Sequence, residues 1–112
     1  MWQKAHKLFL ETVEDVNKIP KNKVADILAQ QLLRSVSSIS ANIAEGFGKN
    51  KGKEFQRYSI IARGSTTESQ DWFLKCEAVG FIDKPTFEKR FPSCEEIRIM
   101  LNSLVGSLRK RS

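Results

Sequence analysis

Few side chains in this sequence have the type and spacing needed to make or break bonds, and they exclude more chemistry than they allow. His6 is the only histidine, and helix phase sets it beside solvent rather than in a cleft. Cys76 and Cys94 both fall on apolar helical stripes, which favours reduced core thiols over a disulfide or redox pair. Two thiols with no histidine nearby cannot complete a zinc site. No pair of carboxylates stands at a spacing suited to general acid–base work. The run Gly46-Phe47-Gly48-Lys49-Asn50-Lys51-Gly52 lacks the preceding strand and the Lys-Ser/Thr ending of a phosphate-cradling loop. The amides near Lys51 to Glu54, which open the next helix, offer at most a weak anion site. The residues therefore predict no enzyme, metal or cofactor.

A second set of polar residues does not fit a plain bundle. Asn42 and Glu45 stand near the end of one long helical pattern, and Arg57, Arg63, Gly64 and Glu68 stand on the next. If the two run antiparallel about a turn near residue 50, Glu45 faces Arg57 and Arg34 faces Glu68. Such a set reads as an ion network fixing helix register or subunit contacts, with a ligand or catalytic site as the competing reading. Gly64 inside a helix costs up to about 1 kcal/mol against alanine. It therefore marks a close backbone approach, beside Ser37, Ser38 and Ala41 of the preceding helix or of a neighbouring subunit. Those small residues occupy a face that would carry Lys, Glu and Gln if it met only water. They point to an assembly.

Four amphipathic helices must position these groups. The first carries Trp2, Ala5, Phe9, Val13 and Val16 at helical steps and ends near Pro20. The second runs from about Val24 to Glu45, with Leu32, Val36, Ile39 and Ile43 on one side, and stops at Gly46 or Gly48 as a left-handed cap. The third begins near Lys53, repeats Phe55, Tyr58, Ala62, Ser65, Ser69, Trp72, Cys76 and Val79, and ends at Gly80. The fourth follows Asp83 as N-cap with Pro85 close behind, and its stripe is Phe87, Phe91, Cys94, Ile97, Leu101, Leu104 and Leu108. Pro92 inside that stripe predicts a kink, or else a break with Ser93 capping a second piece. The fold expected is all-α: a single domain over residues 1–112, an up-down-up-down antiparallel four-helix bundle.

The formal net charge of +6 is unevenly placed in such a bundle. Both chain ends and the central loop are expected at one end. That end would gather Lys4, Lys7, Lys49, Lys51, Lys53, Arg57, Arg109, Lys110 and Arg111 against Glu45 and Glu54. The far end is nearly balanced, and the middle is slightly acidic. A one-signed surface attracts phosphate backbones and releases counterions on binding, although basic ends also serve plain solubility. Nothing reads base sequence: Phe47 is the only aromatic of the basic loop, and Tyr58 lies on the core stripe. No apolar run is long enough to span a bilayer, and residues 1–6 lack the apolar stretch of a secretion signal. A cytoplasmic protein is the expectation.

The run Ser38-Ile39-Ser40-Ala41-Asn42-Ile43-Ala44-Glu45-Gly46, then Glu54-Phe55, then Ile61-Ala62-Arg63-Gly64-Ser65 with Glu68, resembles the four-helix-bundle family of 23S rRNA intervening-sequence proteins. The likeness is dense from Leu32 to Gly80, and helix four shares only generic apolar spacing. Ser40 stands where the family commonly has proline, which would soften any kink there. The resemblance implies a small bacterial bundle, often encoded inside insertions in large-subunit ribosomal RNA genes, without enzymatic activity, some members forming rings of five. It extends more distantly to retroelement accessory variability proteins, basic pentamers that bind nucleic acid and a reverse transcriptase.

The expectation is a non-enzymatic homo-oligomer, a pentamer by resemblance, that binds RNA or DNA backbone. Lys49, Lys51, Lys53 and Arg57 would form the core of the surface, supported by Arg109, Lys110 and Arg111. Arg34, Ser38, Ala41, Asn42, Glu45, Arg63, Gly64 and Glu68 would form the structural network or interface. Neither a membrane nor a small-molecule substrate is expected as partner. The alternative is an oligomeric structural or protein–protein adaptor whose basic end is incidental.

Overall fold

Local signals account for most helix boundaries. The structure is a computed structural model that describes residues 1–49 and 52–111, the side chain of Arg111 excepted. The described residues form α1 (Trp2–Asn17), α2 (Lys23–Lys49), α3 (Gly52–Ala78) and α4 (Lys84–Arg111). Asn22 caps α2, its Oδ1 accepting the Ala25 amide at 2.9 Å. Asp83 caps α4 in the same way, accepting the Thr86 amide at 2.9 Å. Hydrogen bonding from Thr86, its side chain first and its amide second, holds the Asp83 carboxyl below its ordinary pKa. Gly80, at φ +83°, ends α3 in a Schellman turn: Phe81 N–H donates to Cys76 O at 2.8 Å and Gly80 N–H to Glu77 O at 3.0 Å.

Two expected boundaries differ. Gly46 and Gly48 do not cap α2, which continues to Lys49; the left-handed residue is Gly52, at φ +46°. Gly46 is instead a packing residue. A Cβ placed on it would stand 3.3 Å from Tyr58 Cβ, so α2 and α3 meet there backbone to side-chain base. Nor does Pro92 break α4, which runs unbroken through it. Ser93 is no cap: its hydroxyl donates to Lys89 O at 3.0 Å within the helix.

Each helix packs on its sequence neighbours and α1 returns to α4, with no α1–α3 or α2–α4 contact among the described residues, giving the up-down-up-down bundle. It measures 47 × 21 × 19 Å. Phe73, Leu8, Leu32, Ile39, Ile97 and Leu101 lie at its centre. The buried stripe of α1 is Ala5, Leu8, Thr12 and Asp15 rather than the one through Trp2 and Val13. That of α3 includes Ser59, Thr66 and Phe73, while Val79 is exposed. The α1 stripe is rotated from expectation, whereas that of α3 keeps the expected Ala62, Ser65, Ser69 and Cys76 and is widened by its neighbours, in both cases because polar residues occupy core positions. Their hydroxyls are satisfied by their own helices: Thr12 donates to Leu8 O at 2.7 Å, Ser59 to Phe55 O at 2.8 Å and Thr66 to Arg63 O at 2.6 Å.

The helices differ in length, and this changes where charge lies. α1 has 16 residues and α2 has 27, about 24 and 40 Å at 1.5 Å per residue. α1 starts part-way along the bundle, where Lys4 pairs with Glu96 and Phe9 lines a shallow groove with Leu33 and Ser37. The amino end therefore does not reach the α2–α3 loop. Lys4 and Lys7 belong to the middle of the molecule, beside Lys89, Arg90 and Glu96 in a groove of about 310 Å³ between α1 and α4.

Candidate nucleic-acid interface

The α2–α3 seam sets the register of the basic end. Ser69 Oγ donates to Ser35 Oγ at 3.0 Å, and Ser38 and Ser65 hydroxyls meet at 3.0 Å. Asn42 Nδ2 donates to Ser38 O at 2.8 Å and to Ser38 Oγ at 2.9 Å. Ser38 and Asn42 are thus used inside the chain, where short side chains let two helices approach closely. Arg34 pairs with Glu68, as expected, and Glu68 also accepts from Trp72 Nε1 at 3.1 Å. The Arg34–Glu68 pair is exposed and contributes little on its own.

Other expected members of the network are placed differently. Glu45 does not pair with Arg57. Arg57 lies 3.5 Å from Glu54, one turn away, and its guanidinium sits over the Tyr58 ring at 5.1 Å. Arg63 turns to α4 and donates to Asn102 Oδ1 at 3.0 Å. Gly64 faces open space, with nothing within 4 Å of a Cβ built on it, so it marks no close approach among the described residues. Ala41 and Glu45 are exposed as well.

Lys49 closes α2 and Lys53 and Arg57 open α3, all exposed. The Arg63–Asn102 bond fixes the antiparallel register of α3 and α4, so the last turn of α4, with exposed Arg109 and Lys110, lies level with the first turns of α3. The loop and the carboxyl end thus share one end of the bundle. Lys51 and the side chain of Arg111 lie outside the described residues. Beneath the loop Phe47 meets Phe55 edge to face at 5.1 Å, with Phe47 still 50% exposed.

Residues 1–103 match the pattern of the 23S rRNA-intervening sequence protein family. The chain belongs to that family. Similar to it in fold is a protein of unknown function from the S23 ribosomal protein family of Bacteroides thetaiotaomicron, with a TM-score of 0.86 and 22% identity over 93% of this chain and 96% of that one. No curated protein matches the chain. As a member of this family it carries the family's bundle, and its own side chains bear on reactivity. Among the described residues no group of three or more His, Cys, Asp or Glu is placed to hold a metal ion. Burial pushes the Cys76 thiol up to about 11 and the Cys94 thiol up to about 12, so neither is poised as a nucleophile. His6 is not beside solvent alone but stacks on Trp2, ring centroids 4.8 Å apart and 9° from parallel. No described helix is long and apolar enough to cross a membrane.

Sequence reasoning missed three polar residues on α4. Arg90 reaches across the α1–α4 groove to Asp15 and Glu11. Glu95 accepts from Arg98 at 2.6 Å and from Gln70 Nε2 at 3.3 Å, and the Arg98 bonds first, then Gln70, draw its carboxyl down to about 2. The signal for the first was present in Asp15, an acid in phase with Ala5, Leu8 and Thr12.

Proposed function

We propose that this protein is a non-enzymatic, cytoplasmic homo-oligomer, a ring of five as the family likeness implies, that binds RNA or DNA phosphates through the end formed by the α2–α3 loop and the carboxyl terminus. The observation that carries the reading is the clustering of exposed Lys49, Lys53, Arg57, Arg109 and Lys110 at one end, with Glu54 engaged by Arg57. Neutralising phosphates there releases counterions, so affinity depends on salt and not on base sequence. Lys51 and Arg111 extend the same surface in sequence. Loss of the amino-terminal lysines from this end reduces the patch without dispersing it. Electrophoretic mobility shift on a single-stranded RNA tests the reading. Wild type binds, and Lys49→Glu/Lys51→Glu/Lys53→Glu loses most of the affinity; equal shifts from both discard it.

The adaptor reading rests on a different observation. Ala41 and Gly64 are exposed near the α2–α3 seam, beside Ile61, with none of the described residues within 4 Å of a Cβ built on Gly64. A neighbouring subunit packed on that face would explain a glycine at mid-helix. Light scattering on Gly64→Leu separates the two functions: a smaller particle with intact RNA binding places assembly, and not nucleic acid, on this face.

A further inference from the structure

The outer face of α3 beside the basic end carries more than charge. Lys53, Arg57 and Ile61 form one row at four-residue steps, and Gln56 and Ile60 form the next. Between the rows lies a hollow of about 340 Å³, lined by these five residues. Arg57 is steadied at its side, the guanidinium over the Tyr58 ring at 5.1 Å and beside Glu54 at 3.5 Å. Ile61 is 38% exposed and Ile60 is half-buried. Gly64, the next position along that face, adds no side chain to close the hollow, and none of the described residues comes within 4 Å of a Cβ built there. The cations thus sit toward the loop, and the isoleucines about 6 Å further along the helix. α1 makes no contact with α3 among the described residues, so the hollow does not depend on how far α1 extends.

We propose that this hollow receives an unpaired base, so that the basic end takes single-stranded nucleic acid in preference to a duplex. The inference rests on the phosphate reading above and deepens it. Lys53 and Arg57 hold a phosphate, and the base attached to it lies over Ile60 and Ile61 and the aliphatic stems of the two cations. Phosphate oxygens gain nothing from isoleucine, whose burial rewards apolar surface. A duplex presents its sugars and phosphates outward and keeps the faces of its bases stacked inside. A base out of its stack offers a flat apolar face, and apolar side chains receive such faces as aromatic ones do. Exposed isoleucines alone would suit a second copy equally; the two cations one turn away are what point to a nucleotide. Ile60 and Ile61 offer neither donor nor acceptor, and the Gln56 amide, which is both, accommodates the edge of any base. The hollow therefore selects strandedness and not base identity.

Fluorescence anisotropy at fixed salt tests this with labelled probes of equal length: a short single-stranded RNA, the same strand annealed to its complement, and a strand lacking its bases. The intact protein binds the single strand about ten-fold or more tightly than either of the others. Charge alone would favour the duplex, which carries the denser phosphates, so the order is diagnostic. Ile61→Ser weakens the single strand about five-fold and leaves the base-free strand, the salt slope and the thermal melt in place. Ile61→Leu, which keeps an apolar face, retains wild-type affinity. A duplex or a base-free strand bound as tightly as the single strand overturns the proposal, as does an equal loss in Ile61→Ser and Ile61→Leu. So does a smaller particle in Ile61→Ser, which assigns the hollow to a second copy. If all three probes bind alike, the phosphate reading stands and this inference alone fails; if none binds, both fall.

Discussion

Arg90 clasps Asp15 across the seam between α4 and α1 with two hydrogen bonds, Nε to Oδ2 at 2.7 Å and Nη2 to Oδ1 at 3.0 Å. Both side chains are largely withdrawn from water, at 12% and 5% exposure, and Glu11 lies 3.5 Å from the same guanidinium. The Asp15 hydrogen bonds hold the Arg90 pKa above its usual range. α1 packs less against α4 than against α2, and this clasp and the exposed Lys4–Glu96 pair both cross that seam.

Removing one partner leaves a buried charge alone. Arg90→Met is expected to lower stability by about 3 kcal/mol in urea unfolding. The double variant Asp15→Leu/Arg90→Met recovers most of that loss, since an apolar pair tolerates the site. A double variant no more stable than the single one contradicts this account of the seam.

The two glycines near the end of α2 should respond in opposite directions. Gly48 has none of the described residues within 4 Å of a built Cβ, so Gly48→Ala gains about 0.5 kcal/mol from helix propensity. At Gly46 the new methyl meets Tyr58 Cβ, which is fixed to the α3 backbone, and Gly46→Ala loses about 1 kcal/mol. Chemical denaturation of the pair decides it; equal shifts would show that α2 and α3 do not touch there.

Much of the bundle is legible in the sequence, and the exceptions have a common cause. Asp83, Pro85 and Gly80 announce the start of α4 and the end of α3 by local chemistry alone, and the structure keeps all three roles. The inward faces of α1 and α3 are less legible because Thr12, Asp15, Ser59 and Thr66 are buried. A hydroxyl bonded to its own helix hides from hydropathy, and a carboxylate does so only when a distant arginine reaches it. The basic end is half legible. Arg34 and Glu68 reveal the α2–α3 register, but equal helix lengths are no consequence of bundle topology, and Lys4 and Lys7 fall short of the loop for that reason.

The thiols should be silent in the native protein. With Cys76 and Cys94 buried and raised to about 11 and 12, a disulfide reagent at pH 8 is expected to react about a hundred-fold or more slowly than in urea. Rapid labelling of the folded chain would show that the α3–α4 core opens.

Acid should reveal Glu95. Its carboxyl lies at about 2 against an ordinary 4.5, lowered in the folded state, so its contribution is complete above pH 4.5 and is lost as pH falls from there toward 2. Asp83 acts in the same direction. Glu95→Gln therefore lowers Tm at neutral pH and flattens its fall between pH 4.5 and 2. Parallel Tm curves for the variant and wild type would remove Glu95 from the acid response.

The most direct test of the basic end is the slope of log affinity for single-stranded RNA against log salt, measured for wild type, Lys49→Glu/Lys53→Glu and Lys4→Glu/Lys7→Glu. The account predicts a negative slope for wild type and a shallower one, at lower affinity, for the first variant. The second variant keeps the wild-type slope, because α1 stops short of the loop. A flat wild-type slope, or an equal loss from both variants, would contradict the claim that phosphate is bound at the end shared by the loop and the carboxyl terminus.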